Sequence, residues 1–311
     1  MTRRVALALV VVGYSLPASA WWCEGHEAVA LIAESHLTSD ARAQVERLLK
    51  GSAVVEPASC KDSPADAIAI SSTWADDAKN TEQTAAWHFM NIPMSLKKGD
   101  PETYCEPVGP SHNGGPRPGC ILSALRSTVD ILLNKDESDD EKAKALRYLI
   151  HFAGDLHQPL HTTSNDDVGG NCLPIQFFDQ PGPANLHAIW DGLIIERELA
   201  AKHEAVAQFA SDIDQRFASK RAEWTKNAPQ FDKWAWETHL LANQVAYGDL
   251  TPEPGAEALQ PTPNCDAEKT RLAALHIKIG DAYEREAMPV IEMQIAKAGY
   301  RLAAILNALW P

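Results

Sequence analysis

The chain has 311 residues, 45% of them apolar and 23% charged, enough for one large or two modest domains with a real core, which excludes intrinsic disorder. Its formal charge of −14 argues against the broad basic face that most nucleic-acid binders use. The opening stretch, "MTRRVALALVVVGYSLPASA", carries Arg3 and Arg4, an apolar run over residues 5–16 and an Ala18-Ser19-Ala20 ending. That is the pattern of a secretory signal peptide cleaved between Ala20 and Trp21, and the run is shorter than the roughly 20 residues of a spanning helix. The expected layout is therefore a signal peptide at 1–20 and one domain at 21–311, secreted or periplasmic, with no membrane anchor after processing. Loss of two arginines takes the charge from −14 to −16.

Beyond residue 20 the apolar period is helical nearly everywhere. "HEAVALIAESHL", "SDARAQVERLLKG", "SPADAIAISSTWADDAK", "ILSALRSTVDILLN", "SDDEKAKALRYLIHFAGDL", "LHAIWDGLIIERELAAKH" and several segments after Gln208 repeat apolar residues at steps of three and four. Their ends are marked by a capping box at Ser138 and Glu141, a cap with first-turn proline at Ser63-Pro64, and Gly51. Only "CLPIQFFD" reads as a short strand. Loops rich in Pro, Gly and Asn fall near 93–119, 163–184 and 250–265, and none divides the chain in two. The fold class expected is a single all-α domain. Cys23, Cys60, Cys105, Cys120, Cys172 and Cys265 all lie in the exported part, an even set that reads as up to three disulfides. Cys105 with Cys120 is the expected local pair; the absence of any Cys-x-x-Cys argues against thiolate metal sites.

Within "HFAGDLHQPLH", His151 and Asp155 stand at i and i+4 on one helical face, and Pro159 ends the helix so that His161 returns from the next turn. His157 points to another face and reads as a core histidine. A single histidine on an apolar face is usually a hydrogen-bonded core residue; repetition changes that. "NLHAIWD" sets His187 and Asp191 at the same spacing, "TWADD" places Asp76 among small and apolar residues, "AWHFMN" puts His88 between aromatics, and "WWCEGH" brings His26 close behind Trp21. Imidazole and carboxylate sets without thiolates suit catalytic zinc, and several sets in one domain imply several ions, an arrangement fitted to displacement at phosphorus.

These motifs, in this order, resemble the trinuclear-zinc, single-strand-specific nucleases of the mung-bean-nuclease type, which share an all-α fold with zinc-dependent bacterial phospholipases C. The resemblance rests on "WWCEGH", "TWADD", "WHF", "ALRYLIHFAGDLHQPLH", "VGGN" and "NLHAIWD" across residues 21–191. It implies three Zn2+ per chain: one held by Asp76, His88, His151 and Asp155, one by His161, His187 and Asp191, and one by the α-amino group and carbonyl of Trp21 with His26 and the other oxygen of Asp155. It further implies hydrolysis of single-stranded DNA and RNA to 5′-nucleotides assisted by Asp76 as catalytic carboxylate, with action on 3′-nucleotides as well. Substrate contacts fall to Phe89 as a stacking platform, Lys79 and Asn91. Lys79 stands where better-known members have arginine, and Asn91 where they often have aspartate. Three zinc ions would concentrate +6 at the phosphate while the acidic surface repels rigid duplex. Two rival readings are a phospholipase C of the same fold, whose ligand matching Asp191 is usually glutamate, and a zinc-sequestering protein without turnover.

Overall fold

The computed structural model describes residues 21–51, 60, 66–111, 115–180, 182–250, 265 and 273–311. The signal peptide, the helix start at Ser63-Pro64 and most of the 250–265 loop lie outside them. Among the described residues the architecture is all-α, with short strands at the loops, as the apolar spacing predicts.

Helices α1 (Trp22–Ser35) and α2 (Ser39–Gly51) open the domain. The run expected as one helix over 63–79 is instead two short ones, α3 (Ala67–Ser71) and α4 (Trp74–Ala78). Asp66 caps α3 by accepting from Ile68 N, and the Ser72 hydroxyl turns back to Ala69 O, a local bond that competes with helix continuation. The break frees the Ser72 carbonyl, which the site uses. Helices α5 (Ile121–Leu133) and α6 (Asp139–Asp155) follow. Half of the expected capping box forms: Ser138 Oγ accepts from Glu141 N, whereas Ser138 N donates to Glu137 Oε1. The run over 186–203 is also interrupted: α7 (Leu186–Ala188) passes through a π-turn at Ile189–Leu193 into α8 (Ile194–Lys202). The chain closes with α9 (Val206–Phe217), α10 (Arg221–Trp224), α11 (Phe231–Leu241) and the long α12 (Asp281–Leu309).

From Leu146 to Asp155 every residue of α6 is buried, so this helix is the centre of the bundle, with α5, α2, α4, α1 and α12 packed around it. Helix α12 crosses α1 closely at Gly299, where a Cβ would lie 2.6 Å from Ile32 Cγ2; only glycine lets the two backbones approach so far. Small strands brace the loops. β1 (Ile92–Pro93) runs parallel to β2 (Thr163–Ser164) with Ile92 opposite Thr163. β3 (Pro174–Phe177), the strand expected in "CLPIQFFD", lies between β4 (Ala184–Asn185) and β5 (Lys278–Ile279). Cys105 pairs with Cys120 as expected, and Cys23 with Cys60 and Cys172 with Cys265 complete three disulfides. No described helix is long and apolar enough to cross a membrane.

Candidate metal centre

The end of α6 carries the fully buried His151 and Asp155 in beside His88 and Asp76, which with His161 and His187 line a cleft of about 190 Å³. Around them the fold gathers three adjoining groups: His26, His151 and Asp155; Asp76, His88 and His151; and His161, His187 and Asp191. Asp155 is the hub. Its Oδ1 lies 3.3 Å from His26 Nε2, and its Oδ2 lies 3.2 Å from His151 Nε2 and 3.1 Å from His88 Nδ1. The two oxygens of Asp76 stand 3.7 Å from His88 Nδ1 and 3.8 Å from His151 Nε2. In the third group His187 Nε2 is 3.2 Å and His161 Nε2 3.6 Å from Asp191. Zinc with ligand atoms 2.0–2.1 Å away holds them roughly 3.3 Å apart in a tetrahedron. The spacings fit.

Three of the histidines are aimed by their outer nitrogen. His151 Nδ1 donates to Ser72 O at 2.7 Å, His161 Nδ1 to His88 O at 2.8 Å, and His187 Nδ1 to Gly169 O at 2.7 Å. With Nδ1 donating outward, the Nε2 atoms face the carboxylates, the arrangement by which metal-ligating imidazoles are oriented. Backbone pairing ties the His88 and His161 segments together, Met90 N donating to His161 O beside β1 and β2. Several inward atoms are buried without a hydrogen-bond partner among the described residues, namely both ring nitrogens of His26, Asp155 Oδ1, His161 Nε2 and Asp191 Oδ2. Buried polar atoms left so are costly unless another group, such as a cation, takes them.

Protonation follows the same logic. Burial holds the His26, His88 and His187 imidazoles below their ordinary pKa and so neutral. Burial also pushes Asp155 up, but His151 with His26 and His88 outweighs it and holds the carboxyl well below the usual range. For His161 burial is outweighed by Asp191 and Asp155, which hold its pKa up at about 9. Asp155 thus stays ionised, and His161 keeps a proton that a cation bound in the same place would displace.

The other expected positions divide clearly. Lys79 pairs with Asp76 Oδ1 at 3.0 Å, and Lys79, Phe89 and Asn91 all line the cleft. Phe89 is half-buried and faces the opening, which separates it from the core. Trp21 is fully buried; its indole donates to Gly154 O and its carbonyl accepts from His26 N, which sets it beside His26 and Asp155. A Cβ on Gly154 would meet His26 Nδ1 at 2.7 Å, so the glycine before Asp155 makes room for the His26 ring. His157 turns away, as its place on the helix predicts. Sequence reasoning missed Gln158, whose amide donates to Asp191 Oδ1 while its Oε1 accepts from Leu160 N. The polar residue before Pro159 was a legible cap signal, but its reach to Asp191 was not.

The helical frame and joined His/Asp groups define a class: an all-α protein with a centre assembled from candidate metal-binding side chains. The S1/P1 nuclease family model matches residues 21–311. The chain is 28% identical to Endonuclease 4 of Arabidopsis thaliana over 98% of this chain and 94% of that protein. It is 26% identical to Nuclease S1 of Aspergillus oryzae over 99% and 98% of the two chains, and 27% identical to Nuclease P1 of Penicillium citrinum over 93% and 97%. The chain belongs to the S1/P1 nuclease family and is, as such, a nuclease and a hydrolase.

Proposed function

We propose that this chain is a secreted or periplasmic zinc-dependent phosphodiesterase that cuts single-stranded DNA and RNA to 5′-nucleotides and also acts on 3′-nucleotides. The observation that carries the reading is the aim of His151, His161 and His187: each donates outward to a backbone carbonyl while its other nitrogen converges on a buried carboxylate. Asp76, His88, His151 and Asp155 would hold one zinc, His161, His187 and Asp191 a second, and the Trp21 amino and carbonyl groups with His26 and Asp155 a third. When bound, zinc supplies a water acidified to a pKa of about 7 and positive charge for the phosphoryl oxygens.

The remaining work falls to the chain. Burial pushes Asp76 up, but His151, His88 and Lys79 outweigh it, so its carboxylate stays ionised and orients the attacking water and accepts its proton. Lys79, held at Asp76, faces the phosphate as a compact charge in place of a bidentate fork. Phe89 offers a ring face to a base, and exposed Asn91 offers both a donor and an acceptor to its edge. A cleft on an acidic protein admits a flexible strand in preference to a rigid duplex. The signal peptide proposed at 1–20 leaves Trp21 at the start of the 21–311 domain, which is also where the family match begins.

Metal analysis of the processed protein with product analysis of digested single-stranded DNA and RNA tests the reading. About three zinc per chain, 5′-phosphate products, and phosphate release from 3′-AMP and not 5′-AMP are expected. Products with 3′-phosphates, a single zinc, turnover of phosphatidylcholine in place of nucleic acid, or zinc without turnover would overturn it.

A further inference from the structure

The loop over residues 165–171 lies in an unfavourable backbone state. Asp166 and Val168 have φ of 57° and 56°, followed by Gly169 at 60° and Gly170 at 83°. Left-handed backbone is poor for aspartate and worse for β-branched valine, and it persists only where the surroundings over-determine it. Gly169 cannot be exchanged for another residue here, because a Cβ would lie 2.5 Å from Leu160 O. The loop nevertheless has a demanding task. Its Gly169 carbonyl fixes the His187 ring, and Val168 and Asn171 form one wall of the cleft.

One buried carboxylate organises it. Asp167 Oδ1 accepts from Asn165 N at 3.2 Å and Gly170 N at 3.0 Å, and Asp167 O accepts from Cys172 N. Both carboxylate oxygens also lie within reach of a single phenol: Tyr247 Oη is 2.9 Å from Oδ1 and 3.0 Å from Oδ2. Burial, and then the Asp167 charge, holds that phenol well above its ordinary pKa, so it stays a donor. Tyr247 is itself anchored, because it ends a π-turn at Ala242–Ala246 whose last carbonyl accepts from the Tyr283 hydroxyl. The Tyr283 oxygen in turn accepts from the indole of Trp190, the neighbour of Asp191. The C-terminal part of the chain thus grips the His187–Asp191 segment from two sides.

We infer that Tyr247 is a positioning residue for the His161/His187/Asp191 pocket, acting through Asp167 to set the loop whose Gly169 carbonyl aims His187. The inference rests on the zinc reading of that pocket. Tyr247→Phe in the processed, zinc-loaded enzyme keeps the ring and removes the one hydroxyl. The Asn165 and Gly170 amides should then exchange about tenfold faster while α6 amides are unchanged, and one zinc should be lost at about tenfold lower chelator concentration. The kcat should fall more than KM rises. Asp167→Asn should act in the same direction, and the double variant should be no worse than Asp167→Asn alone, since both break one link. A lower melting temperature with unchanged loop exchange and zinc retention, or effects of the two substitutions that add in full, overturns the inference. If the unsubstituted enzyme holds no zinc at His161/His187/Asp191, the proposed function falls, while loop exchange still decides whether Tyr247 sets the loop.

Discussion

Helix α6 and the turn after it carry two kinds of buried polar group. His151 and Asp155 face the joined His/Asp groups, where Asp155 Oδ1 and both nitrogens of His26 have no hydrogen-bond partner among the described residues. His157, two residues on and equally buried, is saturated: Nδ1 donates to Ala153 O at 2.7 Å and Nε2 accepts from Arg301 at 2.8 Å. Arg301 completes its own set with Glu237 Oε2, Trp224 O and the face of Trp234. Burial alone therefore does not mark a functional histidine. What separates the two regions is whether the protein finishes the hydrogen bonding by itself.

The widest separation is expected between Asp155→Asn and His157→Asn. The first removes charge from a residue that touches His26, His88 and His151, and should lower nuclease rate more than about 100-fold, beyond what loss of an orienting group does. The second breaks a closed network and should lower stability by roughly 1–3 kcal/mol while rate at low temperature stays within a few-fold. Equal losses of rate would erase the distinction between the two faces.

The chain terminus extends the comparison, since the unsaturated region is proposed to include the Trp21 amine. Before cleavage that nitrogen is an amide, a poor zinc ligand; afterwards it is an amine with a pKa near 8. Protein beginning Met-Trp21, with the extra methionine verified by mass, should fold, hold one zinc fewer and lose about 10–100-fold in rate. Full zinc and full rate in that protein would reduce Trp21 to an aromatic plug packed on Gly154.

On the saturated side Arg301→Ala should leave zinc content intact and lower stability by roughly 2 kcal/mol, from the buried His157 Nε2 left without its donor, while Glu237 keeps Lys233 and Lys297. Thermal melts with metal analysis check this; loss of zinc would show that the network reaches the cleft after all.

Much of this contrast was legible in the sequence because both His/Asp pairs obey helical spacing. His151 and Asp155 share a face, and a two-residue offset removes His157 from it. Cys105 and Cys120 were legible because they close one short loop. Less visible were features set by tertiary contact. The break at Ser72 between α3 and α4 follows from local hydroxyl bonds that compete with a good helical pattern, and the π-turn carrying Asp191 has no spacing signature. Tyr247 lies 80 residues from Asp167, in a stretch with no motif, and nothing local announces its hydroxyl. Gln158 stands within "HFAGDLHQPLH", yet only the folded chain places its amide on Asp191.

The smallest expected effect concerns a half-buried acid that finishes its bonding in a third way, by keeping its proton. Burial, then a hydrogen bond with Asp66, pushes the Glu34 carboxyl up to about 7, against the pull of Arg42. Asp66 also caps α3, the helix before the Ser72 carbonyl that aims His151, so the pair sits behind the cleft without entering it. A raised carboxyl pKa means that the folded state holds the proton more tightly than the unfolded chain. Its stabilising contribution is complete below the ordinary pKa of 4.5 and is lost as pH rises through about 7. Glu34→Gln keeps a donor toward Asp66 but cannot titrate; the 2.7 Å ion pair with Arg42 that it gives up counts only where Glu34 is ionised, and its pull is already contained in the folded value of about 7. Melting temperatures of the two proteins, compared pairwise, should therefore shift in favour of the glutamine variant between pH 4.5 and 7 and change little above that. Zinc release at low pH affects both proteins alike and cancels in the difference. A difference that stays flat across this window would mean that Glu34 is ionised throughout and that Arg42, rather than Asp66, sets its state.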